Sequence, residues 1–367
     1  MTTEPLLKTA INPQFNDITL SQWPTLYQAY CSDKVRFYQW LAQSGGISLS
    51  PTGSAAEGWS NLVLVSQQDE IIRLPKFPAM ALGFDRPQPY ELSRLAMEKA
   101  FLNHFASVSS LAIPQPKSDY CKLREEQQDR LMHYPRLAGN TATVNAMLSL
   151  PTRNSEAIGR FLAMLHSTRF DHAQLVPYPY GDGEFLQSIW PCCAPLLSPS
   201  TGQKALAYCL DGQRLYKGKT HICHGDFGLS NLLMTRVESA ADSTQEPSHL
   251  GYELTGVIDF SDLCLGDVAM DFALLNRKFP PAFINQCLDT YRKTLGEAQW
   301  HAIDPDSLFA RIEYHSIRKA LFVIYYAATY GPYLNGLNAQ TDFDSGVKRN
   351  IEFLETFFAP TTDTHNQ

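Results

Sequence analysis

Apolar positions in this chain recur with two spacings, and the spacing changes several times along its length. Two short helical pieces come first, around Trp23 to Tyr30 and Val35 to Leu41. From Ile47 the texture is strand, loop and strand, with Gly53, Gly58 and Ser60 in the loop and Leu62-Val-Leu-Val after it. Gln68-Asp-Glu70 reads as a turn and Ile71-Ile-Arg-Leu-Pro-Lys76 as a third strand. Between Glu91 and Phe105, Leu92, Leu95, Ala96 and Leu102 share a helical stripe that Lys99 interrupts, with Glu98 beside it. An extended segment starts at Ile113-Pro-Gln-Pro116. The spacing predicts a helix from Thr152 to Ser167, with Ile158, Phe161, Leu162 and Leu165 on its apolar face and Asn154 or Ser155 as its cap. An apolar helix is expected near Glu184 to Leu197. The polar stretch between Met234 and Tyr252 has no period and reads as a long hairpin tip. Helices return near Val268 to Asn276, Ala282 to Leu295 and Ser307 to Tyr330, the last rich in aromatic residues.

Bulk composition narrows the class. At 367 residues and 44% hydrophobic content, one large domain or two lobes can bury a substantial core. Charged residues make up 18%, which argues against a disordered or nucleic-acid-wrapping chain. A formal net charge of −7 disfavours nucleic acid further and mildly favours cationic ligands through the long-range field. The eight cysteines show no metal spacing, and free thiols suit a reducing, cytoplasmic setting. The start Met1-Thr-Thr-Glu4 lacks the basic and apolar regions of a leader, and no apolar run is long enough for a membrane span. Neither nucleic acid nor membrane is therefore an expected partner, and the oligomeric state is open.

Candidate chemistry concentrates in residues 221–271. His221-Ile-Cys-His224-Gly-Asp226-Phe-Gly-Leu-Ser-Asn231 sets an Asp and an Asn inside an apolar frame. After the polar stretch, the β-branched run Thr255-Gly-Val-Ile ends on Asp259, followed by Asp262, Gly266-Asp267 and Asp271. Short oxygen-bearing side chains at strand ends suit phosphoryl transfer: one carboxylate orients an attacking hydroxyl, while a carboxylate and an amide oxygen hold Mg²⁺. His224-x-Asp226 with Asn231 has the offsets of the kinase catalytic loop, and Ile258-Asp259-Phe260 falls where the metal-binding Asp would.

These motifs resemble the aminoglycoside phosphotransferase family, with the closest likeness to its 2''-phosphotransferase branch. Choline, homoserine and fructosamine kinases are relatives. The likeness is strong over about fifty residues, and weaker matches extend it over most of residues 55–335. It implies a bilobal, protein-kinase-like α+β fold, with a small antiparallel-sheet N-lobe and a mainly helical C-lobe. The expected division is a helical extension over 1–45, a nucleotide-binding N-lobe over 46–139, a C-lobe carrying the catalytic loop and acceptor site over 140–360, and a tail over 361–367.

The resemblance also implies roles. Asp226 would be the catalytic base, and Asn231 and Asp259 the Mg²⁺ ligands. ATP or GTP, the choice left open, would lie against Ser60 and the backbone of His133 and Tyr134. Arg73 and Lys76 both compete for the phosphates. Strand alternation favours Arg73, which shares its face with Ile71 and would pair with Glu98, and leaves Lys76 as an exposed loop charge. Asp182, Glu184, Asp262 and Glu313 are candidate acceptor contacts. His224, Asp267 and Asp271 read as structural braces, and His166 as a helix-end histidine. The function expected is an Mg-dependent phosphotransferase acting on a hydroxyl of a small cationic molecule, an aminoglycoside first. The alternatives are a metabolite kinase of choline, homoserine or ketosamine type, or a nucleotide-binding pseudokinase.

Overall fold

The computed structural model describes residues 26–49, 56–58, 60–76, 90–117, 130–172, 175, 183–215, 221–238, 250–336 and 343–359. Its helices are α1 (Leu26–Ser32), α2 (Lys34–Gly45), α3 (Tyr90–Phe105), α4 (Val144–Ser149), α5 (Pro151–Ser167), α6 (Gly183–Cys193), α7 (Pro199–Gly212), α8 (Ala269–Asn276), α9 (Pro281–Leu295), α10 (Glu297–Ala302), α11 (Leu308–Gly336) and α12 (Phe343–Phe357). Its strands are β1 (Ala56–Glu57), β2 (Asn61–Val65), β3 (Glu70–Pro75), β4 (Met132–Pro135), β5 (Asn140–Thr141), β6 (His221–Cys223), β7 (Leu232–Glu238), β8 (Leu250–Val257) and β9 (Cys264–Gly266).

Strands β1 to β4 pair in that order as an antiparallel sheet. Strand β3 is apolar on both sides because both are covered. Ile72 and Leu74 pack with Leu26, Tyr27, Phe37 and Leu41 of the first two helices. Ile71 packs on the opposite side, in one cluster with Leu95, Phe101 and Phe105 of α3. The sequence left the N-terminal helices without a role; they roof the outer face of this sheet. The chain then leaves the sheet at Pro135 and enters a second one, β5-β7-β8, at Asn140. A third pair, β6-β9, lies among the C-terminal helices. This is the expected bilobal, kinase-like α+β architecture. Among the described residues no helix is long and apolar enough to cross a membrane.

Several local expectations shift. Among the described residues the strand foreseen at Ile47 is a single bridge between Leu49 and Ser66. On α3 the buried face runs through Leu95, Glu98, Phe101, Leu102 and Phe105, so Glu98 lies within that face and Lys99 off it. The hairpin strands reach Glu238 and Leu250, so part of the stretch expected to be tip is paired. Neither α7 nor α12 was anticipated, although Val347, Ile351 and Leu354 of α12 recur at helical spacing. Thr201, Gly202, Ala205, Cys209 and Gly212, the buried residues of α7, are all small.

The largest correction concerns Asn154 and Ser155. Neither caps α5, which starts one turn earlier with Leu150 at the cap and Pro151 in its first turn. Asn154 is instead fully buried. Its amide nitrogen donates to Met147 C=O and Tyr252 C=O, and its Oδ1 accepts from Leu254 N–H, all at 2.9 Å. It joins α4 and β8 to α5. Replacing Asn154 with Ala should strand these buried groups, at roughly 1–3 kcal/mol and about 1–4 °C in Tm. A thermal melt of N154A that matches the wild type would refute this.

Candidate active site

The site is built on the loop between β6 and β7. Asp271, in the first turn of α8, is fully buried and accepts two backbone N–H groups, from His224 at 2.7 Å and Gly225 at 2.9 Å. His166 Nε2 reaches the same carboxylate at 3.1 Å, and its Nδ1 meets Tyr291 at 2.9 Å. Burial would raise the Asp271 carboxyl, but His166 and these donors hold it below its ordinary value. Gly225 has φ +81°, and a Cβ there would stand 2.3 Å from Asp262 C=O. Only glycine lets the loop pass so close to the turn after β8. His224 uses both ring nitrogens: Nε2 donates to Ile258 C=O at 3.1 Å, and Nδ1 accepts Asp226 N–H at 3.4 Å.

Asp226 emerges from this frame with its side chain about a third exposed, at 35%. Asn231 Nδ2 donates to Asp226 Oδ2 at 3.1 Å and to its C=O at 2.8 Å. Asn231 C=O in turn accepts Ile258 N–H at 2.9 Å, which ties the loop to the β8 end that carries Asp259. Asp259 turns there with φ +61°, a left-handed conformation unusual outside glycine. One of its oxygens accepts from Arg73 at 3.0 Å, and Arg73 also pairs with Glu98. Burial works against the Arg73 guanidinium, but Glu98 and Asp259 raise its pKa. The Tyr134 side chain lies toward the same cluster, and burial pushes its phenol up to about 12.

A lysine that sequence reading missed completes the arrangement. Lys319 of α11 places Nζ 3.0 Å from Asp226 Oδ1 and 3.9 Å from Asp262, and donates to Gly225 C=O at 3.3 Å. Burial would raise Asp226, but Lys319, then His224 and Asn231, lower it. One turn earlier on α11, His315 meets Asp267 at 3.2 Å, and a turn before that Arg311 pairs with Asp267. At the far end Tyr326 hydroxyl meets Ser60 hydroxyl at 3.3 Å. The signal was a polar series, Arg311, His315, Lys319, Tyr326, at helical spacing along one helix.

The other expected residues fall as follows. Lys76 is not an exposed charge. Alternation along β3 puts it on the side of Ile72 and Leu74, where it is fully buried, 2.9 Å from Glu57 and over the Tyr27 ring. The same alternation puts it on the opposite side of the strand from Arg73, which meets Asp259. The C=O of His133, expected at a purine edge, instead accepts Lys117 N–H at 2.8 Å, and its ring meets Glu70 at 2.7 Å. Tyr134 sits opposite Ile71 within the sheet. Glu313 is exposed beside Tyr208 of α7, on a different face of α11 from Lys319, and does not join the groups round Asp226. Asp182 and the side chain of Glu184 lie outside the described residues.

Asp259 keeps one carboxylate oxygen beyond its bond to Arg73, and Asn231 keeps its amide oxygen beyond the N–H it gives Asp226. These are hard oxygen donors on adjoining segments, and such a set fits Mg²⁺. His166, Cys223 and Asp271 also bring ligand atoms within 4.8 Å of one another. Asp271 and His166 are committed there to the loop amides and Tyr291, which makes the group a brace.

The family model described as "Phosphotransferase enzyme family" matches residues 54–305. No curated relative matches the sequence. The solved GDP and kanamycin complex of APH(2")-IIia superposes with a TM-score of 0.59 at 19% identity, over 88% of this chain and 98% of that one. The ADP-bound aminoglycoside phosphotransferase APH(2'')-Ib gives 0.54 at 18% identity, over 87% and 96%. The macrolide 2'-phosphotransferase MphH from Brachybacterium faecium gives 0.53 at 18% identity, over 86% and 95%. At these identities each likeness is one of fold.

The Asp267 network has a pH signature. Burial pushes His315 down to about 4, with its hydrogen bond to Asp267 opposing. Burial would raise Asp267, but His315 and Arg311 bring it down to about 2. An unfolded His protonates near 6.5. Between about pH 6.5 and 4 the unfolded chain therefore gains a proton at His315 that the folded chain refuses, and stability falls with pH. Asp267 acts lower: its contribution is complete above about pH 3.9 and is lost as pH falls toward 2. His315→Gln should flatten the decline of Tm between pH 6.5 and 4.5. Parallel Tm curves for variant and wild type would overturn the assignment.

Proposed function

The chain belongs to the phosphotransferase enzyme family, and from that premise we propose that it moves the γ-phosphoryl group of ATP or GTP to a hydroxyl of a small, cationic, polyhydroxylated acceptor, with an aminoglycoside as first choice. One observation carries the reading. Asp226, Asn231, Asp259 and the Arg73–Glu98 pair arrive from separate elements and meet as one connected group.

In this scheme the acceptor hydroxyl approaches Asp226. Its proton passes to the carboxylate as the oxygen–phosphorus bond forms. The bond from the γ-phosphorus to the bridging oxygen breaks, and the nucleoside diphosphate leaves with that electron pair. The lowered pKa of Asp226 keeps it ionised and able to accept the proton. Asn231 and Asp259 would hold Mg²⁺, which supplies charge neutralisation at the phosphates. Arg73, oriented by Glu98, adds a fixed positive charge on the nucleotide side. Asp267 and Asp271 touch neither substrate; they hold the loop and the start of α8.

The acceptor class rests on charge and likeness. The net charge of −7 favours approach of a cation. Of the two expected acceptor carboxylates among the described side chains, Asp262 and Glu313, Asp262 is linked to Asp226 through Lys319. Solved structures of the same fold include kanamycin and gentamicin complexes.

Asp226→Asn should cut turnover by roughly 10²–10⁴ and leave nucleotide affinity nearly unchanged. Wild-type turnover in D226N would remove Asp226 from the base role. The acceptor is tested with a panel of aminoglycosides, macrolides, choline, homoserine and ketosamines, each with ATP and with GTP. Aminoglycosides should be phosphorylated, and raised salt should weaken their KM. Turnover of a neutral or anionic acceptor alone would overturn the acceptor assignment and leave phosphoryl transfer standing.

A further inference from the structure

We propose that Lys319 is a catalytic residue that exchanges partners during the reaction, leaving Asp226 for the γ-phosphoryl group when a nucleoside triphosphate binds. The proposal deepens the phosphotransferase reading above and rests on it. It starts from a conflict at Asp226, where both carboxylate oxygens are engaged: Oδ1 by Lys319 at 3.0 Å and Oδ2 by Asn231 at 3.1 Å. Each oxygen keeps a second lone pair, but a hydroxyl bound at Oδ1 would share it with an ammonium that weakens the carboxylate as a base, so Asp226 accepts the proton better once the charged partner gives way.

Asn231 is the worse candidate to move. Its amide also holds the Asp226 C=O at 2.8 Å, and its backbone is tied to Ile258. Lys319 reaches Asp226 on a flexible four-carbon stem, and its contacts to Gly225 C=O at 3.3 Å and Asp262 at 3.9 Å are longer. The base of that stem is fixed. Arg311 and His315 on one side and Tyr326 on the other pin α11 to Asp267 and Ser60. The helix therefore stays in place while the ammonium can swing.

Charge supplies the direction. A γ-phosphate brings two negative charges to within a hydroxyl's width of Asp226, and it competes better for an ammonium than one carboxylate does. The residues His224 to Asn231 contain no Lys or Arg. Arg73 is held at the other side of the site by Glu98 and Asp259. Among the described residues Lys319 is thus the cation beside Asp226 that can meet charge spreading over the phosphoryl oxygens on the acceptor side. Its departure frees Asp226 Oδ1 for the hydroxyl, so triphosphate binding would itself uncover the base.

The test compares affinities of the full chain, with Mg²⁺, for a methylene-bridged nucleoside triphosphate analogue and for the matching diphosphate. Lys319→Met should weaken the triphosphate analogue by about tenfold or more, as for a lost charge-assisted hydrogen bond. Diphosphate affinity should stay within about twofold. Lys319→Arg, which keeps the charge, should retain most of the triphosphate preference and guards against a variant that merely folds poorly. Equal losses for both nucleotides in K319M, or no loss for either, would make Lys319 a structural pin and overturn the proposal. A wild type that binds neither nucleotide would sink the donor assignment itself.

Discussion

A single buried carboxylate sets the geometry on which the site depends. Asp271 has no exposure, yet it stays ionised because two backbone N–H groups and His166 converge on it. Taking a carboxylate out of water is costly unless its lone pairs are matched, and here they are matched by the loop it must hold. With the His224 and Gly225 amides fixed, Gly225 is pressed against Asp262, and Asp226 has one direction in which to project. The position of the candidate base is therefore inherited from a helix that begins more than forty residues later.

Helix α11 gives the second constraint. Along one face it meets Asp267, Asp226, Asp262 and Ser60 in turn. A rigid helix fixes the spacing of such contacts at 1.5 Å per residue. The start of α8, the loop between β6 and β7 and the turn before β2 are thereby referred to one ruler. Arg73 does the complementary job from the sheet, since its bond to Asp259 and its pair with Glu98 join β3, α3 and the end of β8.

The N-terminal helices make that sheet possible. A strand with apolar residues on both faces needs two covers, and α1 and α2 supply the outer one. The same cover explains the lysine that looked exposed. Lys76 enters the layer beside Tyr27 and pairs with Glu57, so its charge is matched where water is excluded. Burial lowers its pKa even so, with Glu57 opposing.

The sequence by itself determined what local periodicity can encode. Alternation in Ile71 to Lys76 was enough to put Arg73 on the face of Ile71, and helical spacing was enough to put Ile158, Phe161, Leu162 and Leu165 in the core. The polar residues were legible as two short clusters, 226–231 and 259–271, each set within a few residues by a strand end and the turns beside it. What tertiary structure alone decided was which distant groups meet. Lys319 looks like any helical cation until α11 docks against Gly225, 94 residues earlier. Asn154 has the chemistry of a cap, but Pro151 starts the helix and a strand about a hundred residues on claims the side chain. His133 read as an open backbone edge, and Lys117 takes its carbonyl. Periodicity is a property of neighbours along the chain, whereas the pairing of buried charges and amides is settled only when the elements pack and each polar group must find a partner.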